Sequence, residues 1–194
     1  RRGAKSVGKV VMYTVPIPII LIIILVIRGL TLPGAIEGLK YYLTPNFSYL
    51  KNPTVWLAAY GQIFFTLSLA WGVLIAYASY LPDDSDINNN AFITGFANCG
   101  TAFLAGFAVF SILGYMSQSL GVGLEEVVKS GIGLAFIAYP EGISLLPFGR
   151  PLFGVLFFIL LLTLAIDSAF SFVESVVAGI MDKWGMSRVK ANTL

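Results

Sequence analysis

Four stretches of this sequence are apolar over the length of a bilayer crossing: about 10–28, 54–81, 91–116 and 151–181. A hydrocarbon core takes roughly 20 helical residues. Inside it the backbone must satisfy its own hydrogen bonds, so such segments become helices. Composition agrees, with 57% of the chain hydrophobic and 11% charged. Soluble domains carry about 25% charge. The expected fold class is an all-α membrane protein with four transmembrane helices, its surface partner the lipid bilayer. A net charge of +2 gives no argument for nucleic acid. The chain has no histidine and one cysteine, Cys99, which excludes a histidine proton relay, a histidine-ligated metal and an internal disulfide within it.

The second run is longer than a straight span needs. Thr66, Ser68 and Gly72 sit near its centre, in Gln62-Ile63-Phe64-Phe65-Thr66-Leu67-Ser68-Leu69-Ala70-Trp71-Gly72. Hydroxyl side chains compete for backbone hydrogen bonds, and glycine lowers helix propensity. Two readings fit: one long tilted helix, or a helix broken near 66–70. Unwound backbone at membrane depth is tolerated where it is buried in protein or lines a cavity, and broken helices build the sites of secondary transporters.

Pro16 and Pro18 in the first run each remove a backbone donor and invite a bend. Residues 29–53 read as a loop carrying a short surface helix over Ala35–Tyr42. The polar segment 82–90 alternates Asp84, Asp86 and Asn88, yet it lacks the glycine and closing glutamate of a calcium loop. Its carboxylates suit the cap of the third helix. In that helix Ala102 and Gly106 have the spacing of a close helix contact. Asn98 there fits either interhelical glue or an ion ligand. Residues 117–150 are too polar to span, and two short helices meeting at Gly131–Gly133 would form a hairpin.

In the fourth run Thr163, Asp167, Ser168, Ser171, Glu174, Ser175 and Asp182 fall on one face, within an arc of about 140°. An aspartate near the centre of a span costs about 2.5–3.5 kcal/mol on the insertion scale. It therefore marks a functional site or an interhelical bond. Apart from Arg28, which closes the first run, no lysine or arginine lies within the four runs to pair with Asp167, so a bound cation is the natural counter-charge. Asp167 and Ser168 offer hard oxygens suited to Na⁺. Seven of the twelve Lys and Arg lie at the two ends, Arg1 to Lys9 and Lys183 to Lys190. Four spans then place both ends in the cytoplasm, with loops 29–53 and 117–150 outside and loop 82–90 inside.

At this point the residues resemble a family. Gln62 to Ser68, followed by Ala76-Tyr77-Ala78-Ser79-Tyr80, is similar to the sixth membrane helix of the neurotransmitter:sodium symporters, the sodium-coupled carriers of amino acids and amines. Asn88-Asn89-Asn90, Asn98-Cys99 and Gly106 to Phe110 resemble the seventh helix, and Leu164-Ala165-Ile166-Asp167-Ser168 the eighth. Gly29 to Ala35 resembles the loop after the fifth. The resemblance covers nearly the whole chain. It implies a twelve-helix inverted-repeat transporter fold of which this chain holds the fifth to eighth helices, in a multi-pass plasma-membrane protein. The rest of the transporter chain, including the first helix, is an expected partner.

Site residues follow from the resemblance. One sodium would be held by Thr66 and Asn98, a second by the Leu164 carbonyl, Asp167 and Ser168. Substrate would meet the backbone around Phe65, Thr66 and Ser68, and also Ser168, with Trp71 and Phe172 facing its side chain and Phe65 as an aromatic lid. Gly8 and Pro18 match the fifth-helix unwinding motif, and Tyr80 and Asp182 the cytoplasmic gate. Gln62, Thr66 and Asn98 match a chloride site. Ala102 stands where chloride-dependent members carry a serine, which leaves chloride open. Trp71 and Phe172 replace smaller groups and imply a small amino acid, glycine or alanine. The implied function is sodium-coupled symport by alternating access, with no bond chemistry and hence no enzyme. Two rivals remain: a proton-coupled carrier of similar build with Glu174 titrating, and a channel or structural membrane subunit with a continuous second span.

Overall fold

The computed structural model describes residues 12, 14–128 and 133–193. Helices dominate it. In order they are α1 (Pro16–Leu30), α2 (Ala35–Leu43), α3 (Pro53–Thr66), α4 (Val73–Ala78), α5 (Ile87–Leu120), α6 (Leu124–Val127), α7 (Tyr139–Ser144), α8 (Arg150–Trp184) and α9 (Arg188–Ala191). A 3₁₀ turn, Phe47–Lys51, precedes α3, and a π turn, Leu134–Ala138, runs into α7.

Four spans were expected, and two helices, α5 and α8, are each long and apolar enough to cross a membrane. α1 passes the same test only together with the segment after it, from which it is bent by 116°. The second expected span is divided into α3 and α4, each too short alone. The expected start of the first span, at residue 10, lies outside the described residues. α5 begins at Ile87 rather than 91 because Asp86 caps it: its carboxylate accepts from the Asn89 N–H at 3.0 Å. Pro16 and Pro18 fall in the first turn of α1, where a backbone donor has no intrahelical acceptor to lose. Met12 and Thr14 are helical as well, and Val15, a turn, separates them from Pro16.

The chain forms two compact units. One comprises Tyr13–Pro45 and Cys99–Thr163 and holds the main apolar core. Leu21, Ile22 and Leu25 of α1 meet Ala108, Ile112 and Tyr115 of α5, at the four- and three-residue spacings of a buried helix face. Tyr139, Ile143 and Leu146 of the hairpin and Phe157 and Leu160 of α8 close the cluster. Tyr139 stacks on Phe157 with ring centroids 4.2 Å apart, and its burial raises the phenol's pKa. The Tyr115 hydroxyl donates to the Leu145 carbonyl at 2.5 Å, tying the hairpin to α5. Small residues set the approach of α2 to α5. The expected contact residue Gly106 faces the Tyr42 ring; further along, a Cβ on Gly38 would run into the Phe110 carbonyl and one on Gly114 into the Gly34 carbonyl, with the two glycines next to each other behind them. Among the described residues before its glycines, only Leu124–Val127 of the hairpin is helical, and residues 129–132 lie outside the described range.

The other unit comprises Arg1–Met12, Asn46–Asn98 and Leu164–Leu194, and it contains α3, α4, the start of α5, the end of α8 and α9. Many of its large apolar side chains are exposed, among them Leu57 at 74% and Ile75 at 78%. Exposure on that scale marks surfaces that meet lipid or further protein.

Candidate functional site

The site is built around the gap between α3 and α4. Asn52 caps α3 by accepting from the Thr54 N–H at 3.0 Å, with Pro53 in the first position. The helix stops at Thr66. Its last carbonyls are taken irregularly: Leu67 N–H bonds Ile63 O, Ser68 N–H bonds Phe65 O, and Leu69 N–H reaches back to Phe64 O, each at 3.1 Å. The chain then advances through alternating left-handed residues, Ser68 at φ 52°, Ala70 at φ 64° and Gly72 at φ 74°. Glycine adopts that geometry freely. Serine and alanine do so at about 1–3 kcal/mol each, a cost met only where the surroundings fix the backbone.

Thr66 and Asn98 come together, the Asn98 Nδ2 donating to Thr66 Oγ1 at 3.1 Å. Both residues are half-buried. Gln62 lies one turn before Thr66 on the same face of α3, and Phe65 beside it is 71% exposed. On α8, Leu164, Asp167 and Ser168 share a face at the three- and four-residue spacing. The Asp167 Oδ1 is buried and has no hydrogen-bond partner. A lone buried carboxylate oxygen is costly to leave unmatched. An oxygen-seeking monovalent cation beside it, completed by the Ser168 hydroxyl and the Leu164 carbonyl, fits that donor set. Among the described residues no three His, Cys, Asp or Glu side chains gather.

Trp71 and Phe172 meet edge to face, with centroids 5.1 Å apart. Three polar rungs that the sequence did not reveal join the α4 region to α8. The Ser175 hydroxyl donates to the Trp71 carbonyl at 2.8 Å, Tyr77 and Ser171 hydroxyls lie 3.2 Å apart, and Tyr80 donates to Glu174 at 2.6 Å. The only trace of them in the sequence was the polar arc of α8.

Tyr80 and Asp182, expected to serve one gate, take different places. Tyr80 binds Glu174, whereas Asp182 is exposed near the end of α8. The second oxygen of Glu174 pairs with Arg188. Burial disfavours the Arg188 cation, but Glu174 and Tyr80 outweigh it and raise its pKa. Both Glu174 oxygens are thus engaged, and the carboxylate that a proton-coupled carrier would use has a fixed cationic partner. In the sequence Arg188 reads only as an orientation charge. The pairing arises because the chain turns back after α8 at Gly185, φ 61°. Pro18 lies in α1, in the other unit, and Gly8 lies outside the described residues.

Comparison with known proteins matches residues 1–194 to the Sodium:neurotransmitter symporter family. The chain is 52% identical over 191 residues to an uncharacterized sodium-dependent transporter of Methanocaldococcus jannaschii, covering 98% of this chain and 38% of that protein. It is 46% identical over 183 residues to the human sodium- and chloride-dependent GABA transporter 2, covering 94% of this chain and 30% of the relative. Among solved structures, the crystal structure of MhsT in complex with L-phenylalanine aligns with a TM-score of 0.76 and 38% identity, over 93% of this chain and 39% of MhsT. This chain thus spans between 30% and 39% of the length of these proteins. With its match running from the first residue to the last, the chain belongs to the sodium:neurotransmitter symporter family.

Proposed function

We propose that this chain supplies the fifth to eighth helices of a sodium-coupled symporter for a small amino acid, with both its ends on the cytoplasmic side of the plasma membrane. The observation that carries the reading is the buried, unpartnered Asp167 Oδ1 on the face shared with Leu164 and Ser168. One sodium would sit there, and a second beside Thr66 Oγ1 and the Asn98 side-chain oxygen. The Asn98 amide donates to Thr66, so its oxygen remains available to a cation. Filling both sites from outside favours a substrate-ready state. The half-helix after the break, α4, and α8 then rearrange against a scaffold, and both sides are never open together. No bond is made or broken, so transport needs no catalytic group. The broken backbone at 67–72 supports this over a channel or structural subunit, for which a continuous helix was expected.

The test is uptake of labelled glycine and alanine into proteoliposomes holding the full-length carrier. Uptake is expected to require sodium and to collapse when potassium replaces it. Equal uptake in both salts would overturn the reading. The same assay without chloride settles the role of Gln62, Thr66 and Asn98 as an anion site, since Ala102 brings no oxygen there.

Substrate size follows from the paired rings. Trp71 and Phe172 fill the volume that a larger side chain would need, and overpacking costs typically 1–3 kcal/mol. Trp71→Phe is expected to improve competition by leucine-sized amino acids roughly tenfold relative to glycine. An unchanged order of competitors would make Trp71 a packing residue only.

A further inference from the structure

We infer that Ser175 is a positioning residue for substrate size, acting through Trp71. The inference rests on the reading that Trp71 and Phe172 bound the substrate side chain. Trp71 belongs to neither α3 nor α4. The ladder of α4 begins one residue later, where Ala76 N–H bonds the Gly72 carbonyl at 2.9 Å. The Trp71 carbonyl is held instead by a side chain, the Ser175 hydroxyl at 2.8 Å.

Gly72 makes this approach possible. Its left-handed backbone suits glycine, and a Cβ there would stand 3.0 Å from Ser175 Oγ. Phe172 lies three residues before Ser175, on the same face of α8, and its ring meets the Trp71 indole. One helix face therefore grips Trp71 twice, by its carbonyl and by its ring. α4 itself has other ties to α8, through Tyr77 to Ser171 and Tyr80 to Glu174. What Ser175 fixes is the carbonyl side of Trp71, whose N–H bonds the Ser68 carbonyl at 3.4 Å, between left-handed Ala70 and Gly72. Released, that carbonyl turns, and the indole leaves its edge-to-face seat on Phe172. The volume next to the substrate then opens.

The experiment measures glycine uptake by the full-length carrier in proteoliposomes, with competition by amino acids of graded size up to phenylalanine. Ser175→Ala is expected to shift the ratio of half-inhibition by leucine and phenylalanine to the glycine KM by about fivefold toward the larger molecules, the loss expected for one hydrogen bond. Maximal rate per transporter and sodium half-saturation should stay unchanged, which a general loosening of the fold would not leave intact. In the W71F background the same substitution should have little effect, because contacts that act through one ring do not add. If W71F shifts the ratio and S175A does not, the inference fails while the pocket reading stands. If S175A shifts the ratio equally in both backgrounds, Ser175 does not act through the indole, and the inference fails too. If W71F itself leaves the ratio unchanged, the pocket reading falls and takes the inference with it.

Discussion

Replacing Asp167 by asparagine should abolish sodium-driven uptake while leaving the protein folded, and in sodium-free buffer no less stable than the parent. The two halves of that result have one origin. Asp167 Oδ1 is buried without a partner, so in the absence of a cation the fold carries an unmatched carboxylate. Asparagine has nearly the same shape and no charge, and removing a buried unpaired charge does not destabilise. On the proposed reading, the cost of Asp167, about 2.5–3.5 kcal/mol on the insertion scale, is recovered when a cation binds. A ligand that binds the folded state alone raises its stability as ligand is added. The parent's melting temperature should therefore climb with sodium at constant ionic strength, and that of Asp167→Asn should climb much less. Uptake and melting must be read together. A variant that keeps its sodium-dependent transport would remove Asp167 from the site, whatever its stability.

The apolar runs told where helices form and little about where they end. Hydropathy has no term for a cap, so Asp86 draws α5 back into the segment that reads as a polar loop. Nor does it separate a proline in the first turn from one in mid-helix, so the place of Pro16 and Pro18 in the first turn of α1 was not legible. Thr66, Ser68 and Gly72 flagged the centre of the second run because their chemistry weakens a helix. Ala70 gave no such signal, since alanine is the best helix former, and its left-handed φ of 64° is set by its surroundings. Asp167 stood out because no cation lay near it in the runs. Glu174 stood out less, and its partner Arg188 comes from beyond the end of α8. Pairings across a turn of that kind depend on the backbone path, which periodicity does not encode. The hydroxyls of Ser171 and Ser175 were visible as a polar face, but their partners across the gap, the Tyr77 hydroxyl and the Trp71 carbonyl, follow from the break in the helix.

Gly114→Ala is expected to be the most damaging single-methyl change outside the transport site, lowering the melting temperature by several degrees and sharply reducing the folded yield. α2 meets α5 through small residues, which let two backbones approach closely. Here the approach is backbone to backbone. A Cβ on Gly114 would stand 2.7 Å from the Gly38 nitrogen and 3.0 Å from its Cα. From the other side, a Cβ on Gly38 would stand 3.0 Å from the Gly114 Cα and would run into the Phe110 carbonyl. Flexible side chains can turn away from a methyl group; these atoms can yield only if α2 lifts from α5. Overpacking costs typically 1–3 kcal/mol and more where the backbone must move. The gain in helix propensity, about 1 kcal/mol for alanine over glycine, works the other way and is outweighed. Gly38→Ala should be similarly harmful. The double variant should cost less than the sum of the two, because the first methyl already separates the helices. Size-exclusion thermal shift on the full-length carrier reads all three. A Gly114→Ala protein that melts with the parent would mean that α2 is not seated on α5 through these glycines.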